Sequence, residues 1–308
     1  NDNFEFFENR IAAYNGFSFA LVEFECGYEF SAPQDKLLLF LKKTKTEDVE
    51  ISFDEKVAFK CGRAKYEIEK KKASDVKSIY DEDIVNNFVF SDLPSIFFDG
   101  LAICQETVEH RDESCVYSNI FVCGDKMVSD SFHATVFDLG KDIGTFFVNH
   151  NSFEPILKNM PEKYAVSDAW LYMSCENGLF LAFRNRSNEV GDFDGWEDHF
   201  SYNPDCPEII FPEEMSEMAI LANIIKEKDG NSVLIEIDGG VLTVTADDKK
   251  ENRIIQSLEV GDKINLVFRV ATEIFVKSLR HSRKCVVGEA LYFDCGSFKR
   301  AVAFLDGR

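Results

Sequence analysis

Apolar and polar residues alternate over much of this chain, and the alternating stretches come in pairs closed by short polar turns. In NSVLIEIDGGVLTVTAD (231–247) a period of two places Val233, Ile235 and Ile237 on one face, and Asp238-Gly239-Gly240 supplies a tight turn between two strands. SNIFVCGDKMVSDSFHATVF (118–137) has the same form around Cys123-Gly124-Asp125, and ENRIAAYNGFSFALVEF (8–24) has it around Asn15-Gly16. A second strand-turn-strand piece recurs in DVEISFDEKVAFKCGRAKYEI (48–68), DAWLYMSCENGLFLAFRNR (168–186) and CVVGEALYFDCGSFKRAVAFL (285–305). The first piece always precedes the second, at a period of roughly a hundred residues, which predicts a repeated architecture.

Between the two pieces a strand runs into a helix: GYEFSAPQDKLLLFLKKTK (27–45), GTFFVNHNSFEPILKNMPEK (144–163) and KINLVFRVATEIFVKSLRHSRK (263–284). Leu37, Leu38 and Leu41 have helical spacing, as do Ile274, Phe275 and Leu279 behind Ala271-Thr272. A further helix is predicted to open the second unit at 91–110, with Ser91 or Asp92 as N-cap, and the third at 212–230, with Pro212 in the first turn. The first unit lacks this opening helix, so it is expected to be incomplete at its N-terminus. Polar stretches at 69–87 and 187–208 read as linkers. The expected division is 1–72, a linker at 73–87, 88–190, a linker at 191–208, and 209–308.

A chain of 308 residues fits two or three domains, and 45% hydrophobic residues with thirty Phe and seven Pro argue for packed cores rather than disorder. No apolar run reaches the length of a membrane span. The opening NDNFEFFENR does not resemble a secretory signal. Nine scattered cysteines form no Cys-x-x-Cys pair, which is the expectation for free thiols in a reduced, cytoplasmic protein.

The net charge of −21, taken as a total, argues against a simple nucleic-acid binder, so the distribution of the basic residues decides. Lys36, Lys42, Lys43 and Lys45 face one acid, Asp35, in the helix expected at 33–46. Lys277, Arg280, Arg283 and Lys284 join His281 against Glu273 in the helix expected at 271–284. The equivalent middle helix, 152–163, is balanced, with Lys158 and Lys163 beside Glu154 and Glu162. Such segregation builds an electrostatic funnel, although Lys and Arg also gather in last helical turns to suit the helix dipole. Both opening helices are acidic.

This succession of parts resembles the bacterial DNA sliding clamp, the beta subunit of the replicative polymerase. EDVEISFDEKVAFKCGRAKYEIE, with its Gly62-Arg63 step, is similar to the end of the clamp's first domain, and VYSNIFVCGDKMVSDSFHATVFDL to a second-domain stretch. The order from Val233 to Leu279 follows the third domain, and YFDCGSFKRAVAFL its last hairpin and apolar tail. The resemblance implies an α+β clamp fold of three repeated domains, each with two helices packed on antiparallel sheets and joined edge to edge. It also implies a head-to-tail homodimeric ring around duplex DNA, without sequence specificity, that tethers a replicative polymerase and is opened by a clamp loader. The ten basic residues from Lys36 to Lys284 named above would then face DNA.

Clamps dock partner peptides between their second and third domains. Carried onto this chain, that groove comprises Ser129, Ser131 and Ala134, the linker residues Ile209, Ile210 and Phe211, and the tail residues Val302, Phe304 and Leu305. Where the family usually has Gly-His-Arg-Leu, this chain has Ser131-Phe132-His133-Ala134.

Candidate chemistry is sparse. His110, His133, His150, His199 and His281 have no metal-ligand spacing, and DDKKEN (247–252) and DFDGWED (192–198) lack the ligand alternation of a calcium loop. No phosphate-binding loop or nucleophile elbow occurs. The expectation is therefore no catalysis, no cofactor and no metal. An open clamp-like factor that binds DNA without closing a ring, and a purely protein-binding repeat module, are the alternatives, and the divergent motifs leave a bacterial or phage origin open.

Overall fold

The computed structural model describes residues 3–44, 48–73, 88–109, 115–185, 195–222, 224, 232–247, 253–261 and 264–305. One succession of elements, four strands, a helix and three strands, is written three times. The first copy is β1 (Asn3–Phe7), β2 (Arg10–Tyr14), β3 (Ser18–Glu23), β4 (Phe30–Pro33), α1 (Gln34–Thr44), β5 (Glu50–Phe53), β6 (Lys56–Cys61) and β7 (Ala64–Glu69). A short β8 (Ser91–Asp92) and α2 (Ile96–Cys104) open the second. It continues with β9 (Asn119–Cys123), β10 (Lys126–Asp130), β11 (Ala134–Asp138), β12 (Thr145–Asn149), α3 (His150–Asn159), β13 (Lys163–Val166), β14 (Trp170–Ser174) and β15 (Phe180–Arg184). In the third, β16 (Glu208–Ile210) and α4 (Met215–Ala222) precede β17 (Ser232–Asp238), β18 (Val241–Asp247), β19 (Arg253–Glu259) and β20 (Leu266–Ala271). Then come α5 (Thr272–Leu279), β21 (Lys284–Val287), β22 (Ala290–Asp294) and β23 (Phe298–Ala303).

Local chemistry explains the hairpins. Asn15 Oδ1 accepts the N–H groups of Phe17 at 3.0 Å and Ser18 at 2.7 Å, which closes the β2–β3 turn. Gly239 and Gly240 take φ of 58° and 86°, the left-handed pair that a twisted two-residue hairpin needs between β17 and β18. Val233, Ile235 and Ile237 are 0%, 0% and 4% exposed, as the alternation predicts. Each contributes about 1.5–3 kcal/mol by leaving water.

The chain packs as two compact units. In one (1–95 and 151–189) the strands form an eight-stranded sheet in the order β4-β1-β2-β3-β15-β14-β13-β8 and a three-stranded sheet β5-β6-β7. Its core holds Phe6, Phe30 and Phe59 under α1, and Phe7, Phe19, Trp170 and Tyr172 along the large sheet. In the other (96–150 and 190–308) the sheets are β12-β9-β10-β11-β23-β22-β21-β16 and β19-β18-β17-β20, around a core that includes Phe211, Phe268, Phe275 and Phe293. Both large sheets are antiparallel, and each joins strands of successive repeats: β3 pairs with β15 and β11 pairs with β23.

The helices are shorter than the sequence predicts. Ser91 and Asp92 cap no helix, because they form β8 and pair with Tyr164 and Lys163. Pro94 disfavours helix at the preceding Leu93, so α2 starts only at Ile96. Pro212 lies three residues ahead of α4, in a turn where Met215 N–H bonds Pro212 O at 3.2 Å. Lys163 is a strand residue, since Met160 takes φ of 46° and Pro161 follows it. Arg283 and Lys284 likewise lie beyond α5, where Ser282 Oγ accepts the Lys284 N–H at 3.2 Å and turns the chain into β21.

Candidate DNA interface and partner groove

Among the ten basic residues of the expected DNA face, Lys45 lies outside the described residues. Lys36, Lys42 and Lys43 are exposed on α1 and Lys158 on α3, and none has an acidic partner among the described residues. Around α5 the picture differs. Lys277 bonds Glu273 at 2.7 Å, one helical turn away, and holds that carboxyl below the usual glutamate range. Arg283 reaches Glu213 at 3.4 Å and Lys284 reaches Glu208 at 2.8 Å. Arg280 is exposed at the end of α5 without an acidic partner among the described residues.

The nine groove residues separate into two groups. Ser129, Ser131 and Ala134 sit at the β10–β11 turn, with Ala134 opposite Ala301 across the β11–β23 seam and Val302 next along β23. Ser129, Ala134 and Val302 are buried, whereas Ser131, Phe304 and Leu305 are half-buried. Ile209, Ile210 and Phe211 stand at or just beyond β16, four strands from β11 in the same sheet, a distance of about 19 Å. There Ile209 and Phe211 face the core and Ile210 is 61% exposed.

The seam beside the first group holds a polar network that sequence reading misses. Arg300, wholly buried on β23, donates from Nε to Thr135 Oγ1 at 3.1 Å and from Nη2 to Ile103 O at 3.2 Å. Nη2 also lies 2.8 Å from Glu106 Oε2. Thr107 Oγ1 contacts the Ser129 hydroxyl and lies 3.0 Å from Thr135 Oγ1, while Ser131 Oγ donates to Thr107 O at 2.8 Å. At the seam's open end His133 Nδ1 accepts the Ala303 N–H at 3.2 Å. Burial, and then the charge of Arg300, push the His133 imidazole down to about 4. Asp130 meets His199 Nε2 at 3.1 Å, and its carboxyl is raised because burial outweighs the pull of His199. The available signal was the polar alternation in MVSDSFHATVF, where Ser129 and Thr135 occupy buried positions. Among the described residues no three His, Cys, Asp or Glu side chains gather in metal-binding geometry, and no helix is long and apolar enough to cross a membrane.

Repeated antiparallel sheets with single helices between four-strand and three-strand blocks, joined through β3–β15 and β11–β23, make the fold of a DNA sliding clamp. No family model matches the chain, and no curated protein matches it in sequence. Solved structures do. The DNA polymerase sliding clamp of Caulobacter crescentus superposes with a TM-score of 0.78 at 11% identity, over 99% of this chain and 91% of that one. The Pseudomonas aeruginosa sliding clamp (DNA polymerase III subunit beta) bound to griselimycin gives 0.75 at 11% identity, over 99% and 90%. A putative DNA polymerase III beta subunit from Eubacterium rectale gives 0.76 at 12% identity, over 99% and 92%.

Replacing Arg300 with Met keeps the volume but removes the cation that pairs with Glu106 and the guanidinium donor to the Ile103 carbonyl, while Thr135 keeps Thr107 as a donor. The expected loss is about 2–4 kcal/mol of unfolding free energy in urea at pH 7, with part recovered in the Arg300→Met/Glu106→Gln double variant. An unchanged midpoint would show that the network does not hold the seam.

His133 supplies a pH test. Its folded-state value is depressed, so the unfolded chain protonates first. Its contribution is complete above the unfolded value near 6.5, falls as pH drops towards about 4, and is constant below that. Urea stability should therefore lose up to about 3 kcal/mol from this residue across that window. His133→Gln should have the shallower pH slope; parallel slopes for both proteins would remove His133 from the acid response.

Proposed function

We propose that this protein is a replication processivity factor, a sliding clamp that encircles duplex DNA as a head-to-tail homodimer and tethers a replicative polymerase after a clamp loader has opened the ring. The observation that carries this reading is the strand arithmetic. Each eight-stranded sheet combines the four-strand block of one repeat with the three-strand block of the next and that repeat's short opening strand, β8 or β16. That rule leaves the four-strand block β17–β20 without a three-strand complement, and the three-strand block β5–β7 without a four-strand one. The edges left over are β19, which corresponds to β3 and β11, and β7, which corresponds to β15 and β23. Pairing β19 of one chain with β7 of a second extends the seam rule across the interface, and two such pairings close a ring with no open edge at either junction.

In this reading the sequence segments 1–72, 88–190 and 209–308 are three clamp domains. The exposed lysines of α1 and α3, with Arg280 and Arg283, line the DNA path, and partner peptides dock at the open end of the β11–β23 seam beside Phe304 and Leu305. Topological enclosure requires only weak phosphate contacts, which reconciles a chain of net charge −21 with a DNA partner. The protein acts in the cytoplasm of a bacterium, or of one infected by a phage, and does no chemistry of its own.

Light scattering over a dilution series should give twice the chain mass. Ile255, 52% exposed on β19, lies on the proposed interface; Ile255→Asp should raise the dimer dissociation constant about tenfold or more. A monomer at every concentration would overturn the closed ring. Changing Lys42, Lys43, Arg280 and Arg283 together to Ala should reduce retention on circular duplex at low salt while the unfolding midpoint stays put. Equal retention would remove these residues from the DNA path.

A further inference from the structure

We infer that residues 195–206 are a strap that clasps the joint between the second and third repeats from outside, held shut by side chains alone and able to open as one piece while the sheet beneath stays folded. The strap goes beyond the clamp reading and needs neither a ring nor DNA.

The segment crosses the strands in sheet order, from β10 towards β16. His199 Nε2 meets Asp130 on β10 at 3.1 Å. Trp196 and Phe200 stand beside Val136 of β11 and Lys299 of β23. Tyr202 packs on Tyr292 of β22, with ring centroids 4.9 Å apart. Cys206 then reaches Gly288 in the β21–β22 turn, where a Cβ would lie 3.4 Å from Cys206 Sγ and 3.0 Å from Tyr292 Cε2. Gly288 has no left-handed φ, so what glycine supplies there is room for the strap.

Among the described residues no backbone bond ties 195–206 to the sheet; the first is Val287 N–H to Pro207 O at 2.9 Å. The strap's backbone bonds are its own. Asp198 N–H donates to Gly195 O at 3.0 Å, Ser201 N–H to Asp198 O at 3.1 Å and Cys206 N–H to Asn203 O at 2.9 Å. It is therefore a preformed piece. Only Trp196, Phe200 and Cys206 are half-buried, and the rest is exposed. Two cavities, of about 380 and 330 Å³, lie between strap and sheet, and Phe200 and Lys299 line both. Few buried contacts and no ladder put a segment at the low end of local stability.

The other unit has the same crossing, closed tightly. There Phe88 packs on Tyr172 at 5.0 Å, and Tyr172 is 3% exposed, whereas Tyr202 on its own tyrosine is 46% exposed. Both sheet tyrosines stand opposite an alanine, Ala182 or Ala301, which leaves space for the incoming ring. The contact is built twice, and only the second copy is loose. Opening it bares Val136, Val286 and Tyr292 along the outer side of the seam.

The test reads each end of the strap after the other is disturbed, in the full-length protein at pH 7. A pulse of N-ethylmaleimide, followed by peptide mass spectrometry, gives the rate at each cysteine. Exposed Cys123 sets the open rate, and buried Cys104 and Cys285 report opening of the sheet itself. His199→Gln, seven residues from Cys206, should speed Cys206 at least threefold while Cys104, Cys285 and the urea midpoint stay put. In the reverse direction Gly288→Ala presses on Cys206. It should raise acrylamide quenching of Trp196, read in a Trp170→Phe background since the chain has two tryptophans. Tyr202→Ala should speed Cys206, and Tyr202→Phe, which keeps the ring, should not. Failure of either remote response would show a loop that frays locally and would overturn the one-piece strap. Cys285 rising in step with Cys206 would overturn it as well, because the sheet would then be opening too.

Discussion

A strand edge is a row of backbone donors and acceptors that must find partners, and the whole architecture follows from how this chain supplies them. Each repeat makes a four-strand block and a three-strand block separated by one helix, and neither block of a repeat completes its own sheet. The three-strand block of the second repeat closes on the four-strand block of the first, and that of the third closes on the second. The two compact units therefore do not follow the repeats, because each is assembled around a sheet that two repeats share. Folding one repeat alone would leave two edges bare, so the repeat is a unit of sequence rather than a unit of stability.

The two seams solve the same geometric problem with different chemistry. At β3–β15 the buried positions are Phe19, Leu21, Leu181, Ala182 and Phe183, an apolar joint. At β11–β23 Thr135 stands opposite Arg300, whose guanidinium is wholly buried. A buried cation is costly anywhere its donors go unmet. A slip of β23 by one residue would turn Arg300 to the other face of the sheet, away from Thr135, Ile103 and Glu106, so the network adds its own penalty to the register that apolar burial already specifies. Phe298 adds its ring face 5.2 Å from the same guanidinium.

How much of this was readable in advance depends on range along the chain. Hairpins were, since Asn15-Gly16 and Asp238-Gly239-Gly240 write their turns within a few residues and alternation assigns the buried face. The side-chain pattern carries the helices too far, to Lys163 and Lys284, because the stops lie in the backbone: Pro161 and the Ser282 turn end them first. The seams were visible only through the resemblance, since Thr135 and Arg300 are 165 residues apart and no local pattern links them. Burial at the groove was hidden for the same reason. Ser129 reads as a polar surface residue until Thr107, 22 positions earlier, is folded against it.

Charge shows the same division and bears on how a clamp of this composition would grip DNA. Glu273 was evident as a neighbour of Lys277, but Glu213 and Glu208, which engage Arg283 and Lys284, precede those residues by most of a repeat. These pairs do not cancel the basic face. Glu273, Glu213 and Glu208 have side chains 81%, 83% and 50% exposed, and ion pairs so open to water are worth about 0–1 kcal/mol. On the proposed DNA path, a passing phosphate would exchange for such a carboxylate at almost no net cost, and the carboxylate would reclaim the cation when the phosphate moved on. In the proposed ring, a lining of weak, exchangeable contacts would hold duplex near the wall without fixing any one position along it, which is the property that sliding needs.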